Sequence, residues 1–325
     1  MSAGLILQSL VAGASAGGVY ALVGLGYGLI YRMSGVLDFA HGDLVTAAVF
    51  AFLLFVGGGQ AVALTGIAPP VLLGGAAVAL GLTALLAVAV QRVAVAPFLA
   101  RGSAVGWIAA TVAAGLFLRA LAGLRFQAES YTVPEILPVG SIGHGGVLAL
   151  PGGGVVEVRA LVVLAVAAIV ALAFDRWLVA SRTGRAMRAA AEDEEAARVC
   201  GLSPERLRLV AWAMAGLLAA LAGLLVAPSR PLTLDLGVVL GLKGTAAAVV
   251  GGLGSARGAV LGGLAIGIGE AVLTTLFVPA LHLGALNLPQ LGPAPALQDV
   301  GPLLLLVLLV ALAPRLVSGA AEPLD

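Results

Sequence analysis

Nine stretches of this chain run long and nearly free of charge, near residues 5–30, 36–56, 67–90, 104–124, 160–180, 209–227, 236–256, 258–280 and 300–317. A helix rising 1.5 Å per residue needs about 20 apolar residues to cross a hydrocarbon layer about 30 Å thick. Each stretch meets or approaches that length, and little polar sequence is left between them. Composition explains why no soluble alternative fits. The chain is 61% hydrophobic and 10% charged, with mean hydropathy +1.13, where a globular domain carries about 25% charge. Too few charges exist to cover a water-facing surface, so the exterior faces lipid. Lipid offers no partner for backbone N–H and C=O groups, which leaves the self-satisfied helix as the element for stretches this long. The expectation is an all-α polytopic integral membrane protein of about 8–10 transmembrane helices, some Gly-interrupted or re-entrant.

The whole of 1–325 reads as a single membrane domain, with an external loop at about 125–159 and a cytoplasmic loop at about 182–208. A net charge of +1 supplies no basic face for nucleic acid. Cys200 is the only cysteine, so neither an internal disulfide nor a cysteine metal cluster can form. Ala14-Ser15-Ala16 resembles a signal cleavage site, but residues 1–31 contain no Lys or Arg. The segment therefore reads as a retained membrane helix.

Arginine placement sets orientation. With the N-terminus outside, internal connections carry Arg32, Arg92, Arg101, a cluster from Arg176 to Arg208, Arg257 and Arg315. External ones carry Arg125 and Arg159 against Glu129, Glu135 and Glu157, one Arg and one Asp at 228–235, and Asp299 alone at 281–299. The positive-inside rule gives N-out, C-in.

The loop 182–208 concentrates six Arg and five acidic residues. Its composition predicts one surface helix over 185–199, ended by Gly201 at the C′ position. Ser203, Pro204 and Glu205 then carry the cap, first-turn and dipole signals of a new helix start.

Within the apolar segments a few ionisable groups stand out, because a charge at the bilayer centre costs about 2.5 kcal/mol or more and marks a pair or a pathway. Lys243, the only lysine, and Glu270 are expected to pair. Asp38, His41 and Asp43 cluster in "LDFAHGDL"; Asp38 suits a helix cap and Asp43 a first turn, and His41 is expected to touch a gate or the cytoplasmic helices. Gly13 and Gly17, and the row Gly254, Gly258, Gly262, have the small-xxx-small spacing of close helix packing. Neither glycine-rich stretch contains GK[ST], so no phosphate-binding loop is present.

Three blocks then resemble a known family. Glu195-Ala196-Ala197 followed by Gly201 is similar to the EAA loop of ABC importer permeases, though the Ile-x-Leu-Pro ending of that loop is absent. Gln8, Tyr20-Ala21-Leu22, Gly24-Leu25-Gly26-Tyr27 and Phe39-Ala40-His41-Gly42 resemble the first segment of the H-type permease subunit of branched-chain amino-acid ABC importers. The family's Asn is Asp38 here, and its following acid is Asp43. "KGTAAAVVGGLGSARGA" from Lys243 resembles a third family block.

The resemblance implies a permease of the bacterial inner membrane working with a related M-type subunit or a second copy of itself. It implies two cytoplasmic ATPases, which hold ATP and magnesium and dock on a helix carrying Arg188, Glu192, Glu195, Ala196, Ala197 and Gly201. It also implies an extracytoplasmic solute-binding protein. This chain itself would hold no cofactor and no metal and perform no chemistry. Asp38, His41, Asp43, Lys243 and Glu270 are the candidates for the path or its gate. Leucine, isoleucine and valine are the leading solutes, with urea, amides and small carboxylates as alternatives. An ATP-independent secondary transporter or channel is a reading of another class. A membrane enzyme on Asp38 and His41 finds no support, since His144 and His282 fall in external loops.

Overall fold

The computed structural model describes residues 3–58, 67–126, 130–136, 146–149, 153–276, 282–283 and 286–287. Helix α1 spans Ala3–Ser34 and α2 His41–Gly57; α3, Pro69–Ala89, runs through a π turn at Val90–Val95 into α4, Ala96–Leu99. Next come α5 (Ala104–Arg125), the strands β1 (Val147–Ala149) and β2 (Val155–Glu157), α6 (Val158–Ala180), α7 (Arg182–Glu192) and α8 (Glu194–Val199). The order ends with α9 (Pro204–Val226) and its 3-10 turn (Ala227–Ser229), α10 (Leu236–Val250), α11 (Ala256–Leu276), and the two-residue strands β3 (His282–Leu283) and β4 (Leu286–Asn287). Strand β1 pairs antiparallel with β2, and β3 with β4. Eight of the nine apolar stretches fall on helices. Six of these are long and apolar enough to cross a membrane, while His41–Gly57 and Leu236–Val250 are shorter. The ninth stretch, 300–317, lies outside the described residues, as do His144, Asp299 and Arg315.

Punctuation follows local chemistry. Gly35 ends α1 with φ 66 and Gly58 follows α2 with φ 59, the left-handed geometry that glycine adopts without steric penalty. Proline opens α3 and α9, and Ser103 caps α5 by accepting from the Gly106 N–H at 3.1 Å. Ser203 occupies the cap position of α9 as the sequence indicates, but its side chain makes no cap bond there.

The helices alternate between two ends. At one end Arg125 donates to the Gly58 carbonyl, Arg159 to the Pro228 carbonyl, Tyr131 bridges Leu232, and Val155 donates to Gln8. At the other end Arg257 pairs with Asp175 and Gly254 lies against Arg32. Arg92, Arg101 and the loop from Arg182 to Arg208 connect helices at that second end, which the positive-inside rule places in the cytoplasm.

Helix α1 is the hub, in contact with α2, α6, α7, α9, α10 and α11. Every residue from Gly17 to Ile30 is buried, as expected for a helix apolar on all sides. Its tightest seam is with α11. A Cβ on Gly13 would lie 2.7 Å from the Gly267 carbonyl oxygen, and one on Gly17 2.7 Å from that of Gly263. Backbones this close gain the dispersion contacts that hold helices together in lipid, where apolar burial gives no driving force. Gly258 abuts Gly251, which caps the C-terminal end of α10, and Gly262 abuts Ala247 within that helix. Gly254 does not continue that row. It sits in the turn between α10 and α11 at φ 91, so its role is a left-handed turn and not helix packing. Outward positions such as Phe117, Leu124, Ile169 and Leu172 are exposed, the pattern of a lipid-facing surface.

Candidate functional site

Two polar layers lie inside the helical bundle. In the first, α1, α10 and α11 bring Tyr20, Lys243 and Glu270 together. The Lys243 Nζ stands 2.9 Å from Glu270 Oε1, and the Tyr20 hydroxyl donates to Glu270 Oε2 at 3.0 Å. Lys243 also donates to the Tyr20 oxygen at 3.3 Å. The two charges are 2% and 7% exposed, so each needs the other to offset the loss of water. A cavity of about 190 Å³ reaches this layer from the arginine-poor end. Tyr20 and Leu240 contribute to its lining, together with Glu157, Arg159 and Arg230.

The second layer surrounds the break between α1 and α2. Asp38 does not cap α2. The cap position is Ala40, which makes no side-chain bond, and Asp38 Oδ1 instead accepts from the Ala40 N–H at 3.0 Å, closing a turn two residues earlier. The backbone turns between Asp38 and His41, where the His41 N–H reaches the Asp38 carbonyl. His41 does not reach the cytoplasmic helices. It is wholly buried, fills the space left by the absent side chain of Gly26, and meets the Tyr27 ring edge-on at 4.6 Å. Asp43 does occupy the first turn of α2, and it has a partner on α5. Arg119 Nη2 and Nε lie 2.8 and 3.1 Å from Asp43 Oδ1, and Nη1 lies 3.2 Å from Asp235 Oδ1. Thr46 accepts from the Gly237 N–H at 2.7 Å, and the Gly42 and Gly237 backbones touch. The N-terminal turns of α2 and α10 therefore cross at this layer.

Sequence reading missed Arg119 and Asp235. The available signal was Arg119 itself, an isolated charge inside an apolar stretch; like Lys243 and Glu270, it pointed to a partner.

The arginine-rich loop forms two helices where one was expected. Asp193 interrupts it: its carboxylate accepts from the Ala196 N–H at 2.9 Å and so caps α8. Ser181 caps α7 in the same way through the Gly184 N–H. Gly201 follows α8 at φ 80, and the Leu202 N–H returns to the Ala197 carbonyl, closing the C-terminal turn as the sequence indicates. Met187, Ala190 and Ala197 face inward, whereas Glu192, Glu195, Ala196 and Val199 face out. Arg188 does not belong to the outer face: it folds back to the Val179 carbonyl near the end of α6, as Arg185 does to that of Ala180. Arg198 bridges Glu194 and Glu205 at 2.8 and 2.6 Å, tying α8 to α9. Among the described residues no group of three or more His, Cys, Asp or Glu side chains forms a metal site.

No solved structure matches the chain. It is 29% identical over 269 residues to the high-affinity branched-chain amino acid transport system permease protein BraD of Pseudomonas aeruginosa, covering 82% of this chain and 85% of that protein. It is 27% identical over 274 residues, with the same coverages, to the corresponding permease protein LivH of Escherichia coli K12. A shorter likeness, 37% over 87 residues and 26% of this chain, links it to a quarter of the autoinducer 2 import system permease protein LsrC of Shigella flexneri. The sequence profile of the branched-chain amino acid transport system / permease component family matches residues 9–312, and with eight apolar helices among the described residues around a buried polar interior the chain belongs to that family of membrane permeases.

Proposed function

We propose that this chain is the membrane subunit of an ATP-driven importer of branched-chain amino acids in the bacterial inner membrane. A second permease, two cytoplasmic ATPases and an external solute-binding protein complete the assembly. The BraD and LivH relatives support the solute class. The observation that carries the coupling role is the outward placement of Glu192, Glu195 and Ala196 on a folded arginine-rich loop. Small and acidic side chains on that face allow another protein to approach the helix closely. ATP and magnesium act on the partners, and this chain moves the solute without bond-making chemistry.

The loop is tied to the bundle so that force on it reaches the interior. Arg185 and Arg188 hold α7 to the end of α6, and Arg198 and Arg208 hold α8 to the start of α9. Helices α6 and α9 both pack on α1, which carries Tyr20 of the first polar layer and Gly26 against His41. A displacement of the loop by the ATPases therefore shifts the helix that joins both layers. The test is co-purification of the ATPases with the permease from membranes. The Ala196→Arg variant is expected to lose the ATPases while the permease remains folded. Undiminished recovery of the ATPases would overturn the docking assignment.

A further inference from the structure

Arg125 at the arginine-poor end fixes the depth of the second polar layer. Gly115 lies ten residues before Arg125 on α5, which is about 15 Å along the axis and so about halfway through a hydrocarbon layer about 30 Å thick. A side chain on Gly115 would collide with the Asp43 carboxylate. Asp43 and the Arg119 guanidinium bound to it therefore lie near mid-depth. Asp43 is enclosed, at 8% side-chain exposure, but among the described residues the other half of the cluster is open. Arg119 is 27% exposed and Asp235 is 74% exposed. An open carboxylate at that depth has no stable place against acyl chains, where it costs about 2.5–3.5 kcal/mol even by insertion scales. Its environment must contain water, and water at mid-depth needs a protein wall on its other side.

We propose that the Arg119–Asp235 pair lines a water-filled passage whose opposite wall is a second permease subunit. This rests on the paired-permease reading above. The charges suit that position: an amphoteric solute passing the pair meets a guanidinium and a carboxylate 3.2 Å apart, while the buried Asp43 keeps Arg119 in place. The pair is distinct from the Lys243–Glu270 layer, where both charges are buried and a separate cavity approaches beside Tyr20.

The test uses the assembled transporter in native membranes on a Cys200→Ser background, since Cys200 is exposed. Single cysteines are placed by Asp235→Cys, by Leu116→Cys one turn from Arg119, and by Leu172→Cys on the outer face of α6 as a lipid-facing control. A charged methanethiosulfonate reagent reacts only with thiols in water. Asp235→Cys and Leu116→Cys are expected to react at least an order of magnitude faster than Leu172→Cys, with or without ATP. Should Asp235→Cys fail to assemble, Leu116→Cys carries the test with the ion pair intact. A benzophenone attached at Leu116→Cys is expected to cross-link to the second permease subunit. Labelling as slow as at Leu172→Cys in both nucleotide states, or photoproducts with lipid alone, overturns the proposal. Recovery of the ATPases is scored in the same samples: their absence alongside fast labelling counts against the importer reading and not against the passage.

Discussion

Lys243 and Glu270 hold each other at 2.9 Å with almost no exposure, whereas Arg198, 54% exposed, spans Glu194 and Glu205 at 2.8 and 2.6 Å. The bond lengths barely differ, but the surroundings do. In the interior each charge has given up water, so losing its partner leaves an uncompensated ion. In the loop both ions keep most of their hydration, and their pairing adds little. The interior pair therefore decides whether the bundle assembles, while the loop pairs orient a surface that another protein can use. Distance alone does not rank ion pairs; enclosure does.

The largest effect is expected inside. Lys243→Ala or Glu270→Ala, each removing one partner, should lower stability by about 3–5 kcal/mol, read as loss of monodisperse protein and of thermal stability in detergent. The double variant Lys243→Met, Glu270→Leu should recover much of that loss, because an apolar pair leaves no buried ion. A double variant as poor as the single ones would break the comparison. Next comes the α1–α11 seam. Gly17→Leu places a side chain on the Gly263 carbonyl and should cost about 1–3 kcal/mol through overpacking, measured in the same thermal assay. Similar in local cost, about 1–3 kcal/mol, but smaller in its effect on the bundle is Gly201→Val at the loop turn, where a β-branched residue is forced to φ 80. Because that strain falls on a surface turn, ATPase binding should weaken more than the melting temperature drops. The smallest is Arg198→Ala, below about 1 kcal/mol. Raising salt to screen the loop should reproduce it, while the interior pair stays insensitive.

What was legible in the sequence follows the same divide. Helix positions were readable because lipid imposes a length and forbids charge, and Lys243 with Glu270 stood out against that background. Gly201 was readable from its place after a helix-favouring run. The break at Asp193 was not, because Ala, Arg and Glu on both sides favour a continuous helix, and only the cap bond to Ala196 reveals the interruption. Gly254 shares its spacing with packing glycines, and only the backbone angle separates turn from seam. Asp38 has the residue type of a cap but sits two positions too early. The Asp43–Arg119–Asp235 cluster joins residues 76 and 116 positions apart, a contact that periodicity along one segment cannot show.

The most direct test of the account is uptake of radiolabelled L-leucine into proteoliposomes. They would hold this chain with the second permease, the ATPases and the binding protein. Uptake is expected only when ATP and magnesium reach the ATPase side, and it should fall to background in the Ala196→Arg variant. Equal uptake by this chain alone, without ATPases or ATP, would contradict the account and identify a secondary transporter or channel.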